Sequence, residues 1–147
     1  MVRQTRRWMA PAVAAMLLVG TACGGGGGGT VDITLQEFAV IPSEPSVESG
    51  EVTFNLENKG PDDIHEFVVM RTDLDPTALP TDENGAVDEA GGGIEVVDEV
   101  EDIPVGDTPT LTVDLESGSY VLICNIYDES EKEAHYQEGM RVSFTVE

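Results

Sequence analysis

Apolar and polar residues alternate along several short runs of the chain. Val31, Ile33 and Leu35 alternate with polar neighbours, as do Val52, Phe54 and Leu56, then Leu111, Val113 and Leu115, then Val142, Phe144 and Val146. A period of two over such short runs marks β-strands with one face on a core. Turn-forming residues separate the runs: Pro42 and Pro45, Ser49-Gly50, Lys59-Gly60-Pro61 and Ser117-Gly118. Residues 65–70 and 120–124 lack the alternation and are apolar on both sides, which predicts central strands covered on both faces. On the second of these, Tyr120, Leu122 and Cys124 share one face. No amphipathic helix of three turns is visible. The pattern predicts an all-β domain over residues 30–147, an antiparallel Greek-key sandwich or barrel.

Residues 72–103 break the rhythm. They carry eleven acidic residues, no Lys or Arg, and the run Gly91-Gly92-Gly93. The expectation is a long solvated excursion with at most a short helix inside it. Asp73 and Asp75 open like a Ca²⁺ loop, but Ala78 stands where an EF-hand needs Gly and no Glu closes it.

The N-terminal segment has a different character. Arg3, Arg6 and Arg7 precede an apolar, Ala-rich run from Met9 to Gly20, the pattern of an export signal over residues 1–22. Val19-Gly20-Thr21-Ala22-Cys23 resembles a bacterial lipobox, which makes Cys23 the expected site of lipid attachment, with an ordinary cleavable signal as the alternative. Arg6-Arg7 also invites a twin-arginine export reading. Glycines 24–29 follow directly, and with Cys23 they form an expected flexible tether over residues 23–29.

Charge narrows the partners. Beyond residue 22 there are four basic residues against 29 acidic ones, a formal charge of −25 (4 − 29). Nucleic acid and anionic lipid both need basic patches, so neither is expected to bind this surface. A cationic partner surface or a high-salt habitat would suit it. Cys124 is the one cysteine besides Cys23. An exported domain with a single thiol has no internal disulfide to account for it.

That thiol stands first in an ordered set. Cys124, His135 and Met140 follow one another near the C-terminus, and His65 opens the earlier central strand. A thiolate, two imidazoles and a thioether are the donors of a blue-copper electron-transfer site, with Cys and both His in a plane and Met a weak axial ligand. Taken singly, a Cys at a strand end, a His beside Phe67 and a Met in a loop are ordinary core residues. Together, and in this order, they outweigh that explanation.

The segments His65-Glu-Phe-Val-Val, Gly118-Ser-Tyr-Val-Leu-Ile-Cys124-Asn and His135-Tyr-Gln-Glu-Gly-Met140 resemble the cupredoxin family, the small blue copper proteins. The resemblance covers essentially all of residues 30–147. It implies His65, Cys124 and His135 as equatorial ligands and Met140 as the axial one, around a single copper. It also implies an outer-sphere amide on the Cys sulfur, for which the backbone N–H of Glu66 is the expected donor, and Asn125 follows the Cys as in many bacterial members. The departure is the ten-residue link from Asn125 to Ala134, far longer and more acidic than the family pattern. Its Asp128, Glu129, Glu131 and Glu133 are expected to favour Cu(II) and to repel anionic partners; a solvated hairpin tip with no tuning role is the alternative. The function implied is a membrane-tethered, extracytoplasmic one-electron carrier, not an enzyme, because four protein donors leave no position for substrate. Its partner would be a redox protein with a cationic docking surface. Copper storage or delivery, and an interaction module with a vestigial metal site, are the competing functions.

Overall fold

A computed structural model describes residues 27–147. The signal segment, Cys23 and the first glycines of the expected tether lie outside the described residues. Eleven strands and one short helix follow in chain order: β1 Gly28–Gln36, β2 Ala39–Pro42, β3 Ser46–Val47, β4 Gly50–Asn58, β5 His65–Arg71, β6 Glu95–Ile103, β7 Thr110–Leu115, β8 Gly118–Ile123, β9 Tyr127–Asp128, β10 Glu133–Ala134, α1 His135–Glu138 and β11 Arg141–Val146. Two sheets carry the architecture, one ordered β2-β1-β4-β7 and the other β3-β11-β8-β5-β6. Among the described residues, no helix is long and apolar enough to cross a membrane.

The alternating runs do what their period requires. Val31, Ile33, Leu35, Val52, Phe54, Leu56, Leu111 and Leu115 of the first sheet meet Phe67, Val69, Tyr120, Leu122, Phe144 and Val146 of the second in one buried cluster. Phe54 sits at its centre, with ring centroids 5.2 Å from Phe67 and 5.8 Å from Phe144. Cys124 and Met140 belong to the same cluster, so the sulfur residues lie at one end of the sandwich core.

The two unpatterned runs are the central strands β5 and β8, paired antiparallel with Val68 opposite Ile123 and Val69 opposite Leu122. Their second faces carry Val68, Met70, Val121 and Ile123 into a smaller cluster with Leu79, Val87 and Tyr136. A strand buried on both faces has no reason to alternate.

Two expectations need correction. Residues 72–103 are not one solvated excursion: residues 95–103 form β6, paired antiparallel with β5, and Leu79 and Val87 are buried against the outer face of the sheet. The strand escaped notice because two register shifts against β5 disturb its period, and because its acids occupy a sheet edge, where charge blocks unwanted strand pairing. No helix lies in this stretch. Gly28 and Gly29, expected within the tether, instead pair with Glu51 and Val52 in the parallel β1–β4 ladder. A side chain at Gly28 would collide with the Glu51 carbonyl, and φ there is +96°, so glycine is required by this close approach.

Asn58 closes β4 and is fully buried. Its Nδ2 donates to the Asp63 and Ile103 carbonyls, 2.8 Å each, and its Oδ1 accepts from Gly60 N at 2.8 Å. One side chain thereby ties the end of the first sheet to the segment before His65 and to the end of β6. Asn58→Ala is expected to cost on the order of 3 kcal/mol, because it strands buried backbone groups; urea unfolding of the purified protein measures this.

Candidate metal centre

β5 begins at His65, β8 ends one residue before Cys124, and β11 begins one residue after Met140. The sequence between β8 and β11 therefore holds Cys124, His135 and Met140 at one end of the sandwich, beside the first residue of β5. Among the described residues, His65, Cys124 and His135 form a buried group of convergent donors. Nδ1 of His65 lies 3.3 Å from Nδ1 of His135, and Cys124 Sγ lies 3.9 Å and 3.5 Å from those two nitrogens.

This triangle can be tested against a metal. First-row metal bonds of about 2.0–2.1 Å to imidazole and about 2.3 Å to thiolate, at trigonal angles, place the nitrogens about 3.5 Å apart and the sulfur about 3.8 Å from each. The observed separations match to within a few tenths of an ångström. Met140 is fully buried in the same cluster as Cys124. Its backbone is fixed beside the donors, its carbonyl accepting from Cys124 N at 3.1 Å and its amide donating to His135 O at 3.0 Å.

Protonation follows from burial. Desolvation lowers the pKa of both imidazoles, and for His65 the charge of His135 adds to it, so both rings are neutral donors at neutral pH. Burial pushes the Cys124 thiol up to about 12, against the pull of the Glu66 and Ile126 amides. Cys124 is therefore a thiol at neutral pH, and a cation bound by these residues would be needed to hold it as thiolate.

The surroundings orient the donors. Glu66 N–H donates to Cys124 Sγ at 3.3 Å, and the Glu66 carboxylate accepts from Asn125 N at 2.8 Å. Residues 65–66 and 124–125 are thus laced together across the sheet. The Asn125 side chain faces away from the donors: it accepts from Val87 N at 2.6 Å and donates to Val87 O at 3.0 Å and to Glu89 at 2.9 Å. It clamps the preceding excursion to the ligand loop.

The long link between Cys124 and His135 folds without pulling them apart. β9 and β10 pair as a hairpin, and its base is closed by His135 N donating to Ile126 O at 2.9 Å. The Asp128 carboxylate organises the turn, accepting from Ser130 N at 2.6 Å and Ser130 Oγ at 2.7 Å. The extra residues project outward and are exposed from Glu129 to Lys132.

Sequence reasoning missed four residues around these donors. Glu37 places Oε1 at 3.7 Å from His65 Nε2, and Asp63 places Oδ2 at 4.0 Å from His135 Nε2. Phe38 meets the His135 ring edge-on at 5.2 Å between centroids. Tyr136 is buried against the outer face of the sheet, its hydroxyl donating to Pro76 O at 2.8 Å and accepting from Leu79 N at 3.2 Å. Asp63 and Tyr136 carried a signal in their closeness to the two histidines. Glu37 and Phe38 carried none, because only the packing of β1 brings them here.

Known structures share the fold that carries these residues. Auracyanin from the photosynthetic bacterium Roseiflexus castenholzii is similar with a TM-score of 0.57, covering 80% of this chain and 96% of its own at 21% identity. The chain has the cupredoxin fold. Auracyanin A, a "blue" copper protein from the green thermophilic photosynthetic bacterium Chloroflexus aurantiacus, gives a TM-score of 0.53, with 82% of this chain and 100% of its own covered at 17% identity. An azurin from the methylotroph Methylomonas sp. strain J gives 0.51, with 80% and 97% covered at 17% identity. No family model and no curated protein matches the chain by sequence.

Within that fold, Tyr136 anchors the loop that carries His135. Tyr136→Phe is expected to destabilise the protein by about 1–3 kcal/mol, because Leu79 N and Pro76 O lose their buried partner. Thermal unfolding at fixed pH measures the loss.

Proposed function

We propose that the protein is a mononuclear blue copper protein that carries single electrons outside the cytoplasm. The observation that carries this reading is the buried triangle of two Nδ1 atoms and one Sγ, with separations that suit one first-row metal. Copper is favoured over zinc by the donor set, since thiolate and thioether suit Cu(I) and imidazole suits both oxidation states. His65, Cys124 and His135 are the proposed equatorial ligands and Met140 the fourth donor. Bound copper supplies a one-electron couple between Cu(II) and Cu(I). The chain's own part is to hold the donors on the ends of β5 and β8, exclude water and limit rearrangement between oxidation states. With four protein donors, no position is left for a substrate, which supports a carrier rather than an enzyme.

His135 is the donor nearest the surface route. It lines a cleft with Ile64, Ile126 and Tyr127, and with the acids Asp62, Asp63, Asp102, Asp128 and Glu129. A cleft that combines these acids with exposed apolar surface such as Ile64 suits a redox partner with a cationic docking surface. Acylation of Cys23 would tether the domain to the outer side of a cell membrane.

The test is titration of the purified protein with Cu(II). An intense blue thiolate-to-copper absorption band and reversible one-electron reduction are expected, and Cys124→Ala should abolish the band while the β-sheet circular dichroism signal persists. Colourless, tight Cu(I) binding alone would replace electron transfer with copper handling, and no copper binding would leave an interaction module. Electron exchange with a cationic partner should slow as ionic strength rises, measured by stopped flow.

A further inference from the structure

We infer that Glu37 is a positioning residue for the metal centre, a buried carboxylate that fixes the His65 ring and biases the site towards the higher oxidation state of its metal. The inference rests on the copper reading above. It starts from two buried atoms that have no hydrogen-bond partner, His65 Nε2 and Glu37 Oε2. Buried polar atoms in folded proteins nearly always have partners, so two orphans on facing side chains call for an explanation. The His65 ring is fully buried, and the Glu37 side chain retains only 12% of its exposure. The other Glu37 oxygen, Oε1, stands 3.7 Å from His65 Nε2, just beyond hydrogen-bond range.

The rest of Glu37 is firmly held. Oε1 accepts from Asp62 N at 3.1 Å and Asp63 N at 2.6 Å, and Glu37 N donates to Gly60 O at 3.3 Å. Two backbone amides on one oxygen favour the ionised carboxylate. They also keep its charge against the imidazole edge opposite Nδ1, the atom that points at Cys124 and His135. A carboxylate in that place makes Nε2 the protonated nitrogen and leaves Nδ1 its lone pair, as outer carboxylates do for metal-bound histidines. It also adds a fixed negative charge behind the ligand, which stabilises the more positive metal ion.

Asp63 provides an internal comparison. Its Oδ2 lies at a similar distance, 4.0 Å, from His135 Nε2, but its side chain is 33% exposed. Solvent and salt therefore screen Asp63 far more than Glu37.

The experiment uses Glu37→Gln and Asp63→Asn in the full chain. Gln keeps an oxygen for the two amides while removing the charge, so a purely structural role would leave both readouts unchanged. In the metal-free protein, ¹⁵N NMR should find His65 protonated on Nε2, and E37Q should shift it towards the Nδ1–H tautomer. In the copper-loaded protein, E37Q should lower the ratio of Cu(II) to Cu(I) affinity about tenfold, a rise of about 59 mV for a one-electron couple. That shift should persist in high salt, whereas D63N should give a smaller one that salt erases. A wild-type His65 protonated on Nδ1, or an E37Q potential equal to that of wild type, would overturn the inference. Should E37Q fail to fold, the wild-type tautomer still decides it. A wild-type chain that gives no blue complex overturns the copper reading instead, and the tautomer of the metal-free protein then judges Glu37 by itself.

Discussion

The antiparallel register between β5 and β8 is the constraint on which the rest of the molecule depends. With Val68 opposite Ile123 and Val69 opposite Leu122, the inner faces of the two strands run through Phe67 and Leu122 to His65 and Cys124. A slip of one residue would turn each set of side chains to the opposite face. His65 and Cys124 would then part, and the slipped strand would present its residues to the wrong cores, Val68 exchanging with Val69 or Ile123 with Leu122. Both strands are buried on both faces, so each face resists the slip. The placement of two donors is in this sense a by-product of core packing.

The second cluster gives the outer face of the sheet its own function. Residues 72–94 lie across β5 and β8, held by Leu79, Val87 and the Tyr136 hydroxyl. Asn125 and Tyr136, the residues immediately after Cys124 and His135, make the polar contacts to this cover. Arg141 joins them, with its guanidinium over the Tyr136 ring at 5.0 Å and a hydrogen bond to the Tyr136 carbonyl, which caps the short helix α1. Cys124, His135 and Met140 are therefore each followed by a residue that anchors the loop. Such anchoring suits a site whose ligands must not move when its charge changes.

The acidity of the chain is distributed in a way that separates two roles. Most acids lie on β6, on the excursion and at the hairpin tip, where water screens them and they act on partners and solubility. Glu37 and Glu66 differ, because both are drawn into the lining of the site. Burial, reinforced by Glu89, Glu99 and Glu101, pushes the Glu66 carboxyl up to about 7. Burial pushes Glu37 upwards too, but the Asp63 and Asp62 amides and His65 hold it below the ordinary carboxylate range. Two glutamates of equal intrinsic acidity thus behave differently: burial and neighbouring acids dominate at Glu66, whereas backbone amides and His65 outweigh burial at Glu37.

Period-two runs identified the strands of the sandwich because apolar side chains on one face of a pleat are a local signal. The unpatterned runs at His65 and Cys124 identified its centre for the complementary reason. The group His65, Cys124 and His135 was legible because His and Cys are rare in this chain and chemically distinctive. β6 was hidden, since an acidic edge strand with bulges looks like a loop when its partner is unknown. The hairpin between Cys124 and His135 looked like a disruption, but the closure of Ile126 on His135 leaves the two residues side by side. Glu37 and Phe38 were beyond reach of any local pattern, because their place beside the histidines comes from β1 packing across the sandwich. Sequence by itself determined which candidate donors exist and that His65 and Cys124 stand at strand ends, as both depend on residue type and spacing along one chain. Tertiary structure decided the distances between them and the charges that surround them, since these arise from segments far apart in sequence.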